Sequence, residues 1–405
     1  MINMILYANK IYVPKGVISG YLSIEDGRII AISHEKPKGE YIDYGNLNII
    51  PGFIDLHVHG FSTGSFWYEK TEDSLKRMSE SMIQAGVTTF LGTTGTDAVE
   101  SIKDSLEEAK SAVKHWNPSW GSRILGVHLE GPFINKEYKG MQKEEHCKNP
   151  DLIIMAELLE AAGEENVYLM TMAPELPGAK EVITYLNKKG IQISIGHSSA
   201  EFEEIRDLKH LGLGGVTHMY SGMRGFHHRR PGVVGAALYF DDLYCEFAKQ
   251  TGMTVSHEAF KIAYMIKGKD RVMLCTDCTG LAHVKEPFYH YIRKETYTPD
   301  GDDVVILSDD GSERRINKKN FDEVNTLEMS YLESVQTIQR EHGLSMHEII
   351  TMASMNPAKY IGIFDKAGSI EEGKFADLLI VDDHFSIKDI YVEGQLHSTC
   401  RSNKE

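Results

Sequence analysis

Apolar and polar residues alternate in short segments at both ends of the chain. MILYANKIYV, GVISGYLSIEDGRIIAIS and YIDYGNLNII read as strands separated by turns, with EDGR marking a hairpin. GSIEEGKFADLLIVDD and IKDIYVEGQ have the same character near the other end. Two β-rich ends around a long middle predict one small β-sandwich built from residues 1–50 plus 368–405. The middle has a different rhythm. PGFIDLHVHG, VTTFLGTTGT, ILGVHLEGPF, VYLMTMAPE, IQISIGHSS, GGVTHMYSG, LYCEFAKQ and VMLCTDCTG are eight nearly continuous apolar runs, as strands buried on both faces require. Helical patterns such as TEDSLKRMSESMIQAG, DAVESIKDSLEEAKSAVKHW, PGAKEVITYLNKKG, AEFEEIRDLKHLG and SHEAFKIAYMIKG lie between most of them. Eight strand–helix units predict an α/β fold, a (β/α)8 TIM barrel over residues 51–367. Residues 284–325 are polar and broken by DG turns, which predicts an excursion of hairpins or a lid. Two helices follow, at about 326–342 and 345–357.

The 405 residues carry a net charge of −16, which argues against nucleic acid and against an anionic membrane surface as partners. A small phosphorylated ligand is still allowed, because it needs only a local basic group. Cys147, Cys245, Cys275, Cys278 and Cys400 are odd in number and irregularly spaced, so no disulfide framework is implied. The opening MINMILYANKIYVPKG lacks the features of a signal peptide, and no apolar run approaches a membrane span. The expected setting is reduced and cytoplasmic.

A barrel gathers its active site at the C-terminal ends of its strands. Five strand ends carry residues able to bind a metal or move a proton: His57 and His59 on the first, Glu130 on the third, His197 on the fifth, His218 on the sixth and Asp277 on the eighth. Side chains two apart on a strand point the same way, about 6.6 Å apart, so His-x-His can converge on one cation. The pair alone could be buried, satisfied histidines. With Glu130, His197 and His218 at matching ends, burial without a cation becomes costly. The predicted arrangement is two divalent ions, one on His57 and His59, the other on His197 and His218, with Glu130 bridging. Imidazole with carboxylate suits zinc first, with iron, manganese or cobalt as alternatives. Such ions acidify a coordinated water and polarise a carbonyl. Asp277 then serves as general base and acid, the alternative being a helix N-cap.

Three further features need a reading. Cys275 and Cys278 spell C-x-x-C, yet neither a helix start nor a second pair accompanies them, and they read as core cysteines. His128, two residues before Glu130, reads as a hydrogen-bonding support. GFHHRRPGVVG, residues 225–235, is a compact basic patch. Its Arg229 and Arg230 suit phosphate, or else a solvated loop or an inter-subunit ion pair.

PGFIDLHVHG, GVHLEGPF, IGHSSA, VTHMYSGM, HHRRPGVVGAAL, LCTDC, MASMNPAKYIGI and GSIEEGKFADLLIVD together resemble the N-acetylglucosamine-6-phosphate deacetylase family of the amidohydrolase superfamily. The resemblance implies hydrolysis of an acetamido sugar phosphate to the amine and acetate. It implies metal-ligand roles for Glu130, His197 and His218, a binuclear variant through His57 and His59, and the acid/base role for Asp277. It also implies a homodimer in which Arg229 holds phosphate across the interface. The substrate side departs from the family. Gln142 stands where a sugar-contacting histidine is usual, Ser221 and Gly222 replace Asn-Ala, and Thr254 replaces another histidine. VNTL, with Asn325, replaces Leu-Ala-Gly-Ser. Gln142, Ser221, Gly222, Arg229, Thr254 and Asn325 are therefore the expected substrate contacts. Two alternatives stand beside the deacetylase: an amidohydrolase of another N-acyl or cyclic amide, and a silent sugar-phosphate binder.

Overall fold

The computed structural model describes residues 4–248 and 253–397. Cys400 and the first two residues of the TGMT stretch lie outside them. Met4–Val13 pairs antiparallel with Gly16–Glu25, and that strand with Arg28–Ser33. The hairpin turns at Asp26 and Gly27, whose φ angles of 48° and 76° suit a tight turn matched to strand twist. Asn48–Pro51 joins Met4–Val13 in parallel and receives Leu378–Val381 antiparallel on its other side. Ile387–Val392 and Gln395–His397 complete a sheet drawn from both ends of the chain. Leu378 and Ile380 pack with Leu6, Leu22 and Ile49, whereas Leu379 and Val381 join the apolar cluster of the middle region. That alternation follows from the period of two along a strand, and it seats the sheet on the barrel.

Eight parallel strands form the barrel: β1 (Phe53–Val58), β2 (Val87–Thr94), β3 (Arg123–Glu130), β4 (Val167–Met172), β5 (Gln192–Ile195), β6 (Leu213–Val216), β7 (Tyr244–Ala248) and β8 (Val272–Cys275). They pair in chain order. The seam between last and first is drawn together at the C-terminal end, where the Asp277 N–H donates to His57 O at 2.8 Å and the His59 N–H to Cys278 O at 2.8 Å.

The helices expected between strands are present at Glu72–Met82, Val99–His115, Ala179–Lys188, Phe202–Lys209 and His257–Lys267. Two more, Leu152–Ala162 and Gly232–Tyr239, complete the set. Residues 284–325 hold a four-stranded antiparallel sheet, Phe288–His290, Glu295–Asp300, Asp303–Ser308 and Glu313–Asn317. Its own core of Tyr297, Val304, Ile306 and Ile316 closes on Leu281 and Val284, so it is a folded lobe. The helix expected from 326 begins later, at Tyr331, where Ser330 and Glu333 form a capping box. The next helix runs from Met346 through a π-type turn at Thr351–Met355 to Tyr360.

Candidate metal centre and active site

Glu130, the last residue of β3, sits at the focus of four imidazoles. Its Oε1 lies 3.4 Å from His57 Nε2 and 3.0 Å from both His197 Nε2 and His218 Nε2. Its Oε2 lies 3.1 Å from His59 Nε2. The nitrogens of each pair also face each other, His57 and His59 at 3.3 Å, His197 and His218 at 3.1 Å. Ligands about 2.0–2.1 Å from one tetrahedral ion stand about 3.3 Å apart, so these spacings are those of atoms sharing a cation. Two ligand groups result, His57–His59–Glu130 and Glu130–His197–His218, with Glu130 in both. The residues present fit divalent metal.

The far side of three of the four rings fixes which nitrogen is available; His218 Nδ1 is buried without a partner among the described residues. His59 Nδ1 lies 3.2 Å from Thr93 O, His197 Nδ1 2.7 Å from Tyr138 O, and His57 Nδ1 2.9 Å from Glu246 Oε1. Carbonyls and carboxylates only accept, so the proton belongs on Nδ1 and the Nε2 lone pair faces Glu130. His197, His218 and Asp277 follow their strands with φ angles of 49°, 31° and 48°. Left-handed backbone is unfavourable for such residues, and it turns each side chain abruptly into the barrel mouth.

Electrostatics agree with a cation site. Burial opposes charge on His57, yet Asp277, Glu246 and Glu130 outweigh it and hold the ring well above its ordinary pKa. Burial likewise works against ionised Glu130, but the surrounding imidazoles keep it well below the usual carboxylate range. His128 is different. Burial, aided by His57, pushes it down to about 3. The neutral ring donates from Nδ1 to Leu56 O at 3.0 Å and accepts at Nε2 from Thr171 Oγ1 at 2.8 Å, which packs it beneath His57 rather than in either ligand group.

Asp277 stands at the edge of this cluster. Its Oδ1 is 3.5 Å from His57 Nε2 and 3.6 Å from His59 Nε2. The side chain is 27% exposed, against 7% or less for Glu130 and the four histidines, so it meets their cluster on one side and the cleft on the other. No α-helix starts at Asp277; a 3-10 turn begins only at Leu281. The loop after it is held by Glu328, whose carboxylate accepts the N–H groups of Thr279, Gly280 and Leu281 at 2.7, 2.7 and 3.1 Å.

A cleft of about 740 Å³ opens onto these residues. Gln142, Ser221, Gly222 and Thr254 line it; Arg229 and Asn325 do not. Arg229 lies on an exposed loop of its own chain, with its N–H donating to His227 Nδ1 at 3.3 Å. Gln142 faces inward: its side-chain N–H donates to Glu130 Oε2 at 2.5 Å and its Oε1 accepts from the Thr96 N–H at 2.7 Å. Sequence reasoning did not single out Trp67, Tyr291 and Arg293 on the wall, nor Glu246 and Glu328 behind it. Glu246 left one signal, a lone carboxylate inside the apolar run LYCEFAKQ. Cys275 and Cys278 are buried, and no disulfide forms among the described cysteines.

An eight-stranded α/β barrel with imidazoles and a shared carboxylate converging at its mouth, beside an aspartate facing a cleft, defines a metal-dependent hydrolase. Residues 48–397 match the amidohydrolase family, and the chain belongs to it, within the branch of the N-acetylglucosamine-6-phosphate deacetylases. It is a hydrolase of an amide C–N bond. The N-acetylglucosamine-6-phosphate deacetylase of Bacillus subtilis (strain 168) is 32% identical over 390 residues, covering 95% of this chain and 92% of the relative. The N-acetylgalactosamine-6-phosphate deacetylase of Escherichia coli O157:H7 is 27% identical over 396 residues, covering 97% and 99%. The crystal structure of N-acetylglucosamine-6-phosphate deacetylase from Thermotoga maritima superposes with a TM-score of 0.78 at 31% identity, covering 97% of this chain and 99% of that one. Among the described residues no helix is long and apolar enough to cross a membrane.

Proposed function

We propose that this chain hydrolyses N-acetylglucosamine 6-phosphate to glucosamine 6-phosphate and acetate. The observation that carries the reading is the placement of Asp277 Oδ1 within 3.6 Å of His57 and His59, next to a carboxylate shared by two histidine pairs. Divalent metal held by His57, His59, Glu130, His197 and His218, zinc by preference, would supply Lewis acidity for water and for the acetyl carbonyl. Asp277 takes a proton from the attacking water and delivers it to the amide nitrogen as the C–N bond breaks. Ser221, Gly222 and Thr254 offer the polar wall for the sugar. Arg293 is the only Lys or Arg among the described residues lining the cleft, which suits an anionic substrate beside Glu130 and Asp277.

The protein acts as a homodimer, with Arg229 reaching the other copy's phosphate. Support comes from exposed apolar residues on helices that follow the Arg229 loop, with Tyr239 71% and Met265 74% exposed, joined by Ile262 and Ile266. The absence of disulfides among the described cysteines suits a reducing, cytoplasmic setting.

A second reading has one specific observation behind it. Gln142 is committed to Glu130 and Thr96, so it does not present its amide to a sugar as a histidine there could. A shifted N-acyl substrate on the same machinery would follow. Acetate release from the 6-phosphates of N-acetylglucosamine and N-acetylgalactosamine, measured on zinc-loaded protein, decides. Turnover of the first supports deacetylation of the named sugar, and no acetate from either moves the chain to the second reading.

A further inference from the structure

Glu246 is a carboxylate buried to 2% exposure in the middle of β7, on the side of the ligand histidines away from the cleft. Its Oε1 lies 2.9 Å from His57 Nδ1 and accepts the backbone N–H of His218 at 3.0 Å. Among the described residues its one ion-pair partner is His57. A buried carboxylate with no Lys or Arg beside it is costly unless it serves something that needs negative charge. Here a single oxygen touches one member of each histidine pair: the ring of His57 from the first and the main chain of His218 from the second.

We infer that Glu246 is a positioning residue that makes the centre binuclear. It rests on reading His57 and His59 as ligands. Glu246 holds the His57 proton on Nδ1, points the Nε2 lone pair at Glu130, and raises the donor strength of that ring. It also anchors His218 at its left-handed turn, φ 31°. The two effects are unequal. The His57–His59 position depends on the charge of Glu246, because the ring's electronics do. The His197–His218 position depends only on an acceptor for one N–H, which an amide oxygen supplies equally well.

Glu246→Gln separates them. Zinc binding is titrated against a competing chelator in wild type and variant, alongside the visible spectrum of the cobalt-substituted proteins. Wild type should bind two ions per chain. In Glu246→Gln one ion should bind about 10- to 100-fold more weakly and the other unchanged, with half the cobalt spectrum lost at matched metal. Equal weakening of both ions, or of neither, overturns the inference. So does a third ion in wild type, which would place metal, not a proton, among His57, Glu246 and Cys275, whose ligand atoms also cluster. A wild-type chain that binds no divalent ion instead sinks the underlying reading of the site. Should Glu246→Gln fail to fold, nitrogen-edited NMR of the zinc-loaded wild type reads the His57 tautomer directly. A proton on Nδ1 supports the inference and a proton on Nε2 overturns it.

Discussion

The backbone N–H of Asp277 donates to the carbonyl of His57 at 2.8 Å, joining the end of the last barrel strand to the end of the first. The seam therefore coincides with the chemistry. Closing it carries Asp277 to the first pair of histidines, and no motif spacing within either segment could specify the 220-residue separation this contact spans.

Removing the charge of Asp277 tests its role without disturbing that backbone contact. Asp277→Asn should keep its metal, since Glu130 and the histidines surround the ions' position without it. Turnover should fall at least about 100-fold, the scale of general acid/base catalysis. Metal analysis and steady-state rates on one preparation check this; activity within a few-fold of wild type would sink the role.

Gln142 should behave as a support of the centre more than as a sugar contact. Its amide donates to Glu130 Oε2 at 2.5 Å. Gln142→Ala leaves that oxygen short of a donor and the Thr96 N–H short of an acceptor. Metal affinity should drop about 10-fold, the lower range for lost supporting partners, while KM moves little once metal is saturating. A rise in KM at full metal occupancy would return Gln142 to the substrate side.

How far the sequence foretold this site follows from what periodicity encodes. His57 and His59 were legible because alternation along a strand puts i and i+2 on one face. Glu130, His197 and His218 were legible because barrel strands present their C-terminal ends to one mouth. The helices Leu152–Ala162 and Gly232–Tyr239 were not singled out, since LIIMAELLEAA and GVVGAALY are apolar on nearly every face and show no clean amphipathic stripe. Glu246 and Glu328 act through partners far away in sequence, at His57 and Thr279, and a lone carboxylate carries no local sign of its partner. Arg293 reaches the cleft only because a four-stranded lobe folds over it, which no pattern within residues 284–325 states.

Glu328 is predicted to matter for stability and rate together. Its carboxylate takes three backbone N–H groups of the loop after Asp277, all buried. Each buried N–H left unmatched costs about 1–3 kcal/mol. Glu328→Ala should lower unfolding free energy by at least about 2 kcal/mol and reduce kcat, because the loop carries Asp277. Glu328→Gln retains an acceptor and should lie between. Denaturant melts with kinetics check both, and an unchanged Glu328→Ala protein would remove the anchor role.

Metal removal should silence the enzyme reversibly. Exhaustive chelation is expected to abolish acetate release and lower the melting temperature, since ions that bind only the folded chain stabilise it by mass action. Readdition of zinc, cobalt or manganese should restore both. Full activity after chelation to below 0.1 ion per chain, a threshold of about one-twentieth of the two sites, would contradict the metal-dependent chemistry.

The two arginines make a paired prediction about where the phosphate is held. Arg229 is exposed in its own chain, and Arg293 lines the cleft. If Arg229 serves the other copy, Arg229→Ala should raise KM about 10-fold or more for phosphorylated substrate and little for the plain acetamido sugar, the difference one charge-assisted contact of about 1.5–3 kcal/mol makes. Arg293→Ala should show the same selectivity. Mixing separates them. A heterodimer of Arg229→Ala with Asp277→Asn contains one complete site, because the first chain keeps Asp277 and receives Arg229 from the second. Unfolding and refolding the two impaired proteins together should therefore recover activity at low phosphorylated substrate, whereas Arg293→Ala with Asp277→Asn should recover none, since Arg293 and Asp277 line one chain's own cleft and no site in that mixture keeps both. Recovery in neither mixture would confine Arg229 to its own chain and remove the cross-subunit phosphate contact.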